Sequence, residues 1–303
     1  MSSSNLLLVV FAAMGVLSAS AAEIPLIPGE DAAPEKLPVR ADDTAKIIKR
    51  WSFDASLEGW DTEKMEEYKP WSKAESIAPG FRNSGGAMKT TIPGTWNTLG
   101  PFVPVEYPGT GTHVTFAYKT TGGKGIVAQG RVLELKKQLH GTAPTFTDGV
   151  WMVQTLDAEI WSPWSGSELG KGRNFAMLMI YAEAANPKAE FLLDDVVLWN
   201  GKDTTPPDRI RNATAKVDLN AGEVVLEWGA PVDNIAVAKF EIHRAISPDF
   251  TPNAKTLVGT TSEVIFRDGT LNNFGTYYYK FVAEDAATNV SEPSRALKVD
   301  VTE

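Results

Sequence analysis

The chain of 303 residues contains no cysteine and only three histidines. Disulfides, thiolate nucleophiles, thiolate zinc sites and iron–sulfur clusters are therefore all excluded. His113, His140 and His243 stand far apart and form neither an HxH nor an HExxH spacing. A catalytic metal centre built on histidine is thus not expected. Basic blocks are missing too. A formal net charge of −9 without any cationic run repels a phosphate backbone, which excludes nucleic acid as the expected partner. Helical periodicity is nearly absent, the one short candidate being Asp61 to Tyr68. No apolar run reaches the ~20 residues that a membrane-spanning helix needs.

What is present begins with an export signal. Leu6 to Leu17 is apolar and is followed by Ser18-Ala19-Ser20-Ala21-Ala22. Ser20 and Ala22 suit the third-last and last positions before a cut. The preceding Met1-Ser2-Ser3-Ser4-Asn5 lacks the usual lysine or arginine. Residues 1–22 read as a signal peptide, so the mature protein is expected to be secreted, at the cell surface or in the periplasm. Such a protein without disulfides must be held by its cores, with or without a metal. Residues 23–47 carry Pro25, Pro28, Pro34 and Pro38 without apolar periodicity, the pattern of a disordered spacer.

Asp203-Thr204-Thr205-Pro206-Pro207-Asp208 marks the clearest boundary, because two adjacent prolines enforce extended backbone and donate no hydrogen bonds. It separates residues 48–202 from residues 203–303. Both halves read as all-β. In the second, Val224 to Trp228, Lys239 to Arg244 and Tyr277 to Ala283 alternate with period two between turn residues, as in an antiparallel sandwich. In the first, Thr112 to Tyr118 alternates. Ile126 to Val132, Val150 to Leu156, Phe175 to Tyr181 and Phe191 to Trp199 are further strand-like runs. Phe175 to Tyr181 is apolar at both parities, as a central strand would be.

The second half resembles a bacterial fibronectin type III domain. The resemblance rests on TPPDRIRNATA (205–215), VVLEW (224–228), KFEIHR (239–244) and GTYYYKFVAEDAATNVSEPS (275–294). It implies a seven-strand sandwich without an active site, with Trp228 as a core tryptophan and Tyr277 as the corner tyrosine that ties back a loop. The first half resembles the jelly-roll carbohydrate-binding modules of secreted glycosidases, of the xylan- or glucan-binding type. It opens on Phe53-Asp54-Ala55-Ser56-Leu57-Glu58-Gly59-Trp60 and closes on Phe191-Leu192-Leu193-Asp194-Asp195-Val196-Val197-Leu198. That resemblance implies a glycan-binding jelly roll and a structural calcium ion where first and last strands meet. Asp54, Glu58, Asp194 and Asp195 are the candidate ligands, since calcium takes 6–8 oxygens. Adjacent strand residues face opposite ways, so Asp194 and Asp195 share one ion only if a bulge intervenes. The alternative is that both acids cap the strand.

Sugar rings offer flat C–H faces that stack on indole. Five of the nine tryptophans lie in or beside turn-rich segments, namely Trp71, Trp96, Trp151, Trp161 and Trp164. Trp161-Ser162-Pro163-Trp164 holds two indoles on a proline-stiffened loop and is the first candidate for an exposed platform. Trp51, Trp60, Trp199 and Trp228 fall in strand or motif positions and read as core. No nucleophile elbow, phosphate-cradling loop or marked carboxylate pair points to catalysis. The expected function is a non-catalytic polysaccharide-binding protein with a fibronectin type III spacer. One alternative is a structural or cell-surface interaction protein, binding other surface proteins or copies of itself. Another is a polysaccharide lyase or hydrolase using Tyr118, Arg131, His113 or His140.

Overall fold

The computed structural model describes residues 39–60, 74–92, 97–99, 105–106, 111–121, 123–132, 137–143, 147, 149–157, 174–184 and 189–303. The candidate signal peptide and the helix candidate at 61–68 lie outside them. The described part is all-β, with antiparallel sheets throughout and one 3-10 turn at Phe81–Asn83. No helix among the described residues is long and apolar enough to cross a membrane.

Among its described residues the first unit has eleven strands: β1 (Lys46–Trp51), β2 (Ala74–Ile77), β3 (Ala87–Ile92), β4 (Asn97–Leu99), β5 (Val105–Glu106), β6 (Thr112–Thr121), β7 (Gly123–Val132), β8 (Lys137–Ala143), β9 (Met152–Asp157), β10 (Asn174–Ala184) and β11 (Ala189–Asn200). One sheet runs β2-β3-β11-β6-β9 with β1 also on β11; the other runs β4-β10-β7-β8 with β5 also on β10. The chain passes back and forth between the sheets, from β6 to β7, β8 to β9, β9 to β10 and β10 to β11. This is a jelly-roll sandwich. The run Phe175 to Tyr181 lies in β10, hydrogen-bonded on both flanks to β7 and to β4 and β5. The opening motif packs as an aromatic knot. Trp60 stands edge-on to Trp51 and Phe53, with centroids 5.6 and 5.5 Å away, and all three are buried.

The spacer expectation changes at its C-terminal end. β1 begins at Lys46, and Asp43 and Thr44 are bound to residues 202–205. A polar segment lacking periodicity can still be ordered when a neighbour supplies its donors and acceptors. Residues 39–47 are thus part of the fold.

The second unit has β12 (Thr214–Asp218), β13 (Glu223–Glu227), β14 (Val237–Ala245), β15 (Leu257–Thr261), β16 (Ile265–Asp268), β17 (Gly275–Asp285) and β18 (Leu297–Val301). A three-stranded sheet, β12-β13-β16, faces a four-stranded one, β15-β14-β17-β18, the arrangement of an immunoglobulin-like sandwich. Period-two alternation puts Val224, Leu226, Phe240, Ile242, Phe281 and Val299 inside. Each such buried side chain contributes ~1.5–3 kcal/mol of transfer free energy. Trp228 closes the core against Phe240 and Phe281 at 5.3 and 4.9 Å. The Tyr277 hydroxyl donates to the Asn273 carbonyl oxygen at 2.9 Å, tying the loop before β17 to the strand.

One polar group sits inside this core's edge. Asp268 is buried and accepts from the Tyr279 hydroxyl at 2.8 Å, from Thr270 and from the Arg244 guanidinium. Burial pushes its carboxyl up, but these donors and Arg244 together hold it below the usual carboxylate range. A lowered native pKa contributes stability that is present above the unfolded value near 3.9 and is lost as pH falls. Asp268→Asn is therefore expected to lower stability by about 1–3 kcal/mol at neutral pH. Urea titration should show the gap to the parent narrowing as pH drops through 4.

Candidate functional site

Trp71, Trp96, Trp161 and Trp164 lie outside the described residues. Trp151 does not form an exposed platform. It is 6% exposed and packs against Phe81 at 5.5 Å, among Ala87, Ala117 and Leu192. Position decides this: Trp151 directly precedes β9, and the Lys119 ammonium, 5.4 Å from the ring, covers it from strand β6. Trp51, Trp60, Trp199 and Trp228 are buried as well.

Of the four acids expected to hold calcium, Asp54, Glu58 and Asp194 accept from backbone N–H groups and Asp195 faces Arg50. Strand β11 pairs with β3 as far as Leu193 and with β1 from Val196 on the same flank. The gap between falls on Asp194 and Asp195, where the β6 register also slips and Asp195 adopts φ 45°. The bulge that would let both acids face one ion is therefore present. Yet Asp194, fully buried, accepts from the Phe81 N–H at 2.8 Å, the Ser84 hydroxyl at 2.9 Å and the Asp195 N–H at 2.8 Å. It replaces the missing ladder partners. Burial pushes its carboxyl up to about 7, while the donors pull it back. Asp195 stands 3.8 Å from Arg50. Asp54 accepts from the Gly85 N–H at 2.7 Å, and Glu58 accepts from the N–H groups of Ser52 and Phe53. The turn they support has no spare room: a Cβ on Gly80 would lie 2.1 Å from the Gly86 carbonyl oxygen and 2.5 Å from Asp194. Among the described residues these four acids do not form a group of three converging carboxylates. The capping alternative describes Asp194.

A converging group lies elsewhere. Asp203 follows β11, Asp233 sits in the β13–β14 loop and Asp285 ends β17. One oxygen of each lies within 4.8 Å of the others. Each closes a turn on the N–H two residues ahead: Asp203 on Thr205 at 3.0 Å, Asp233 on Ile235 at 2.9 Å and Asp285 on Ala287 at 2.8 Å. Asp285 also accepts from the Asn289 backbone and side chain. Asp203 is 6% exposed and takes the Asn234 amide at 3.0 Å on the same oxygen that serves Thr205. Its Oδ2, Asp233 Oδ1 and Asn234 Oδ1 are buried without any hydrogen-bond partner. Burial pushes Asp203 up to about 7, a hydrogen bond with the Asp43 carboxyl and then the Asp285 charge adding to it, and pushes Asp233 up to about 6 with the Asp285 charge adding.

These loops also form the seam between the two units. Asp43 accepts from Thr204 N–H, Thr205 N–H and the Thr205 hydroxyl, at 3.1, 3.0 and 2.5 Å. Against burial, these bonds hold its carboxyl down at about 2. Val197 and Trp199 of β11 pack on Ile235, flanked by Ala45, Ala236, Ala286 and Ala287. The Arg50 guanidinium donates to the Ile235 carbonyl oxygen and Arg82 to the Ser262 carbonyl oxygen, each at 2.7 Å. Arg82 also lies over the Phe81 and Phe240 rings at 4.4 and 4.8 Å. A pocket of about 170 Å³ lined by Arg50, Arg82, Asp195 and Asp233 opens along this seam.

No protein-family model matches the chain, and no curated protein does. Among solved structures it is similar to the glycoside hydrolase domain of Endo-D from Streptococcus pneumoniae R6, at 16% identity over 76% of this chain and 36% of that one, TM-score 0.34. It is similar to a carbohydrate-binding module of Cellvibrio mixtus lichenase 5A, solved with cellotriose, at 14% identity over 52% and 99%, TM-score 0.33. It is also similar to the fourth FNIII domain of a human protein, at 18% identity over 32% and 82%, TM-score 0.27. The chain thus spans about a third of the Endo-D domain.

Asp194→Ala strands two buried N–H groups and a hydroxyl. It is expected to cost about 2–4 kcal/mol, read as a lowered denaturant midpoint with an unchanged m-value.

Proposed function

We propose that this chain is a secreted, non-catalytic polysaccharide-binding protein, its jelly roll carrying the binding face and its fibronectin type III domain (203–303) serving as spacer or docking module. The observation that supports this reading is the meeting of its two end motifs. Phe53 and Trp60 of the opening motif pack in one knot with Trp51, whose strand β1 pairs with β11, the closing motif. With Trp151 buried, the platform rests on Trp71, Trp96, Trp161 and Trp164, led by the pair flanking Ser162-Pro163. The mechanism is passive: indoles stack on pyranose rings, polar side chains select hydroxyls, and avidity comes from neighbouring modules. Export through residues 1–22 belongs to the same proposal.

The test is a polysaccharide panel read by affinity electrophoresis and by product release. The parent should be retarded by at least one polysaccharide, and Trp161→Ala with Trp164→Ala should weaken that retardation about tenfold or more. Neither protein should release reducing ends or unsaturated sugars. Unchanged retardation in the double variant would remove the platform, and product release would make the chain an enzyme.

A further inference from the structure

We propose that Asp203, Asp233 and Asp285 bind a calcium ion at the seam between the two units, and that this ion fixes their relative position. Clustering alone does not carry this. The second observation is that Asp203, 94% removed from solvent by its 6% exposure, keeps an oxygen that no protein donor reaches. Asp233 Oδ1 and Asn234 Oδ1 are likewise buried without a partner. A buried carboxylate oxygen without a partner is costly, and a cation where the three carboxylates converge would serve all of them at once. The hydrogen-bond donors to these carboxylates are neutral N–H groups and amides, and they serve other oxygens.

The ligand atoms are oxygen only, one from each of three carboxylates, which suits a hard cation. Calcium accepts such irregular sets from separate loops, while magnesium demands near-octahedral geometry and keeps its waters. The three loops also touch the jelly roll. Asp203 joins Asp43 through Thr205 and Asn234, and the loop residues following Asp233 and Asp285 pack on Val197 and Trp199. An ion tying Asp203 to Asp233 and Asp285 would hold the joint, the β13–β14 loop and the end of β17 as one surface.

The full chain, stripped with EDTA and dialysed, should bind one calcium ion per chain by calorimetry. Affinity should fall in or below the 0.1–1 mM range of extracellular modules, written as about 10⁻⁴–10⁻³ M. Saturating calcium should raise the melting temperature by several degrees and reduce the radius of gyration measured by X-ray scattering. Asp233→Asn should weaken binding about tenfold or more, yet melt in EDTA no lower than the parent because like-charge repulsion is relieved. Asp203→Asn, which keeps its bonds to Thr205 and Asn234, serves as the second variant. Asp54→Asn, at the jelly-roll corner, should leave binding unchanged. Absence of binding at ~10 mM calcium, ten times the weak end of that range, overturns the proposal. So does binding lost in Asp54→Asn but kept in Asp233→Asn. An equal response to magnesium overturns the assignment to calcium, and an unchanged radius of gyration overturns the role in positioning.

Discussion

The structure depends on removing a polar chain segment from water. Asp203 to Asp208 passes between two sandwiches, and Asp203, Thr204, Thr205 and Asp208 are each less than 9% exposed. Every polar group so buried must find a partner. Asp43 supplies one for Thr204 and two for Thr205, which is why residues before β1 are ordered and why the first strand enters where it does. The same demand draws in Asn234 and Asn289, which donate to the Asp203 carboxylate and carbonyl oxygens. What reads as a hinge in sequence is thereby a packed joint.

That joint accounts for the other contacts across the seam. Ile235 and the alanines at 236, 286 and 287 are short enough to let the loops approach Trp199 closely. Arg50 and Arg82 then reach main-chain carbonyl oxygens on the second unit. Arg82 stays charged despite burial, which draws its pKa down to about 10 while Asp195 and Glu263 oppose the fall. The joint carries net negative charge and unpartnered oxygens, and a cation there would serve geometry more than chemistry.

Sequence reasoning reached the strands well. The runs Thr112 to Tyr118, Lys239 to Arg244 and Tyr277 to Ala283 lie in β6, β14 and β17, and β6 is buried on both faces from Val114 to Tyr118. The corner hydroxyl of Tyr277 and the burial of Trp60 and Trp228 were equally legible, being fixed by short motifs. The burial of Trp151 was not legible, because a tryptophan beside a turn looks the same whether Lys119 and Phe81 cover it or solvent does. Asp194 and Asp195 are ambiguous for a related reason: a paired acid that fills a gap in strand pairing has the same letters as a metal ligand. The triad of Asp203, Asp233 and Asp285 draws on three distant segments. Each shows only a turn-forming aspartate locally, and their convergence is a property of topology.

The central claim is that residues 203–208 are interior to the assembly of the two units. Hydrogen–deuterium exchange at the Thr204, Thr205 and Ala286 amides tests it most directly, since each donates across or within the seam. The account predicts protection comparable to amides in the middle of β11 and β14. Exchange at the rate of an open, solvated linker would contradict it.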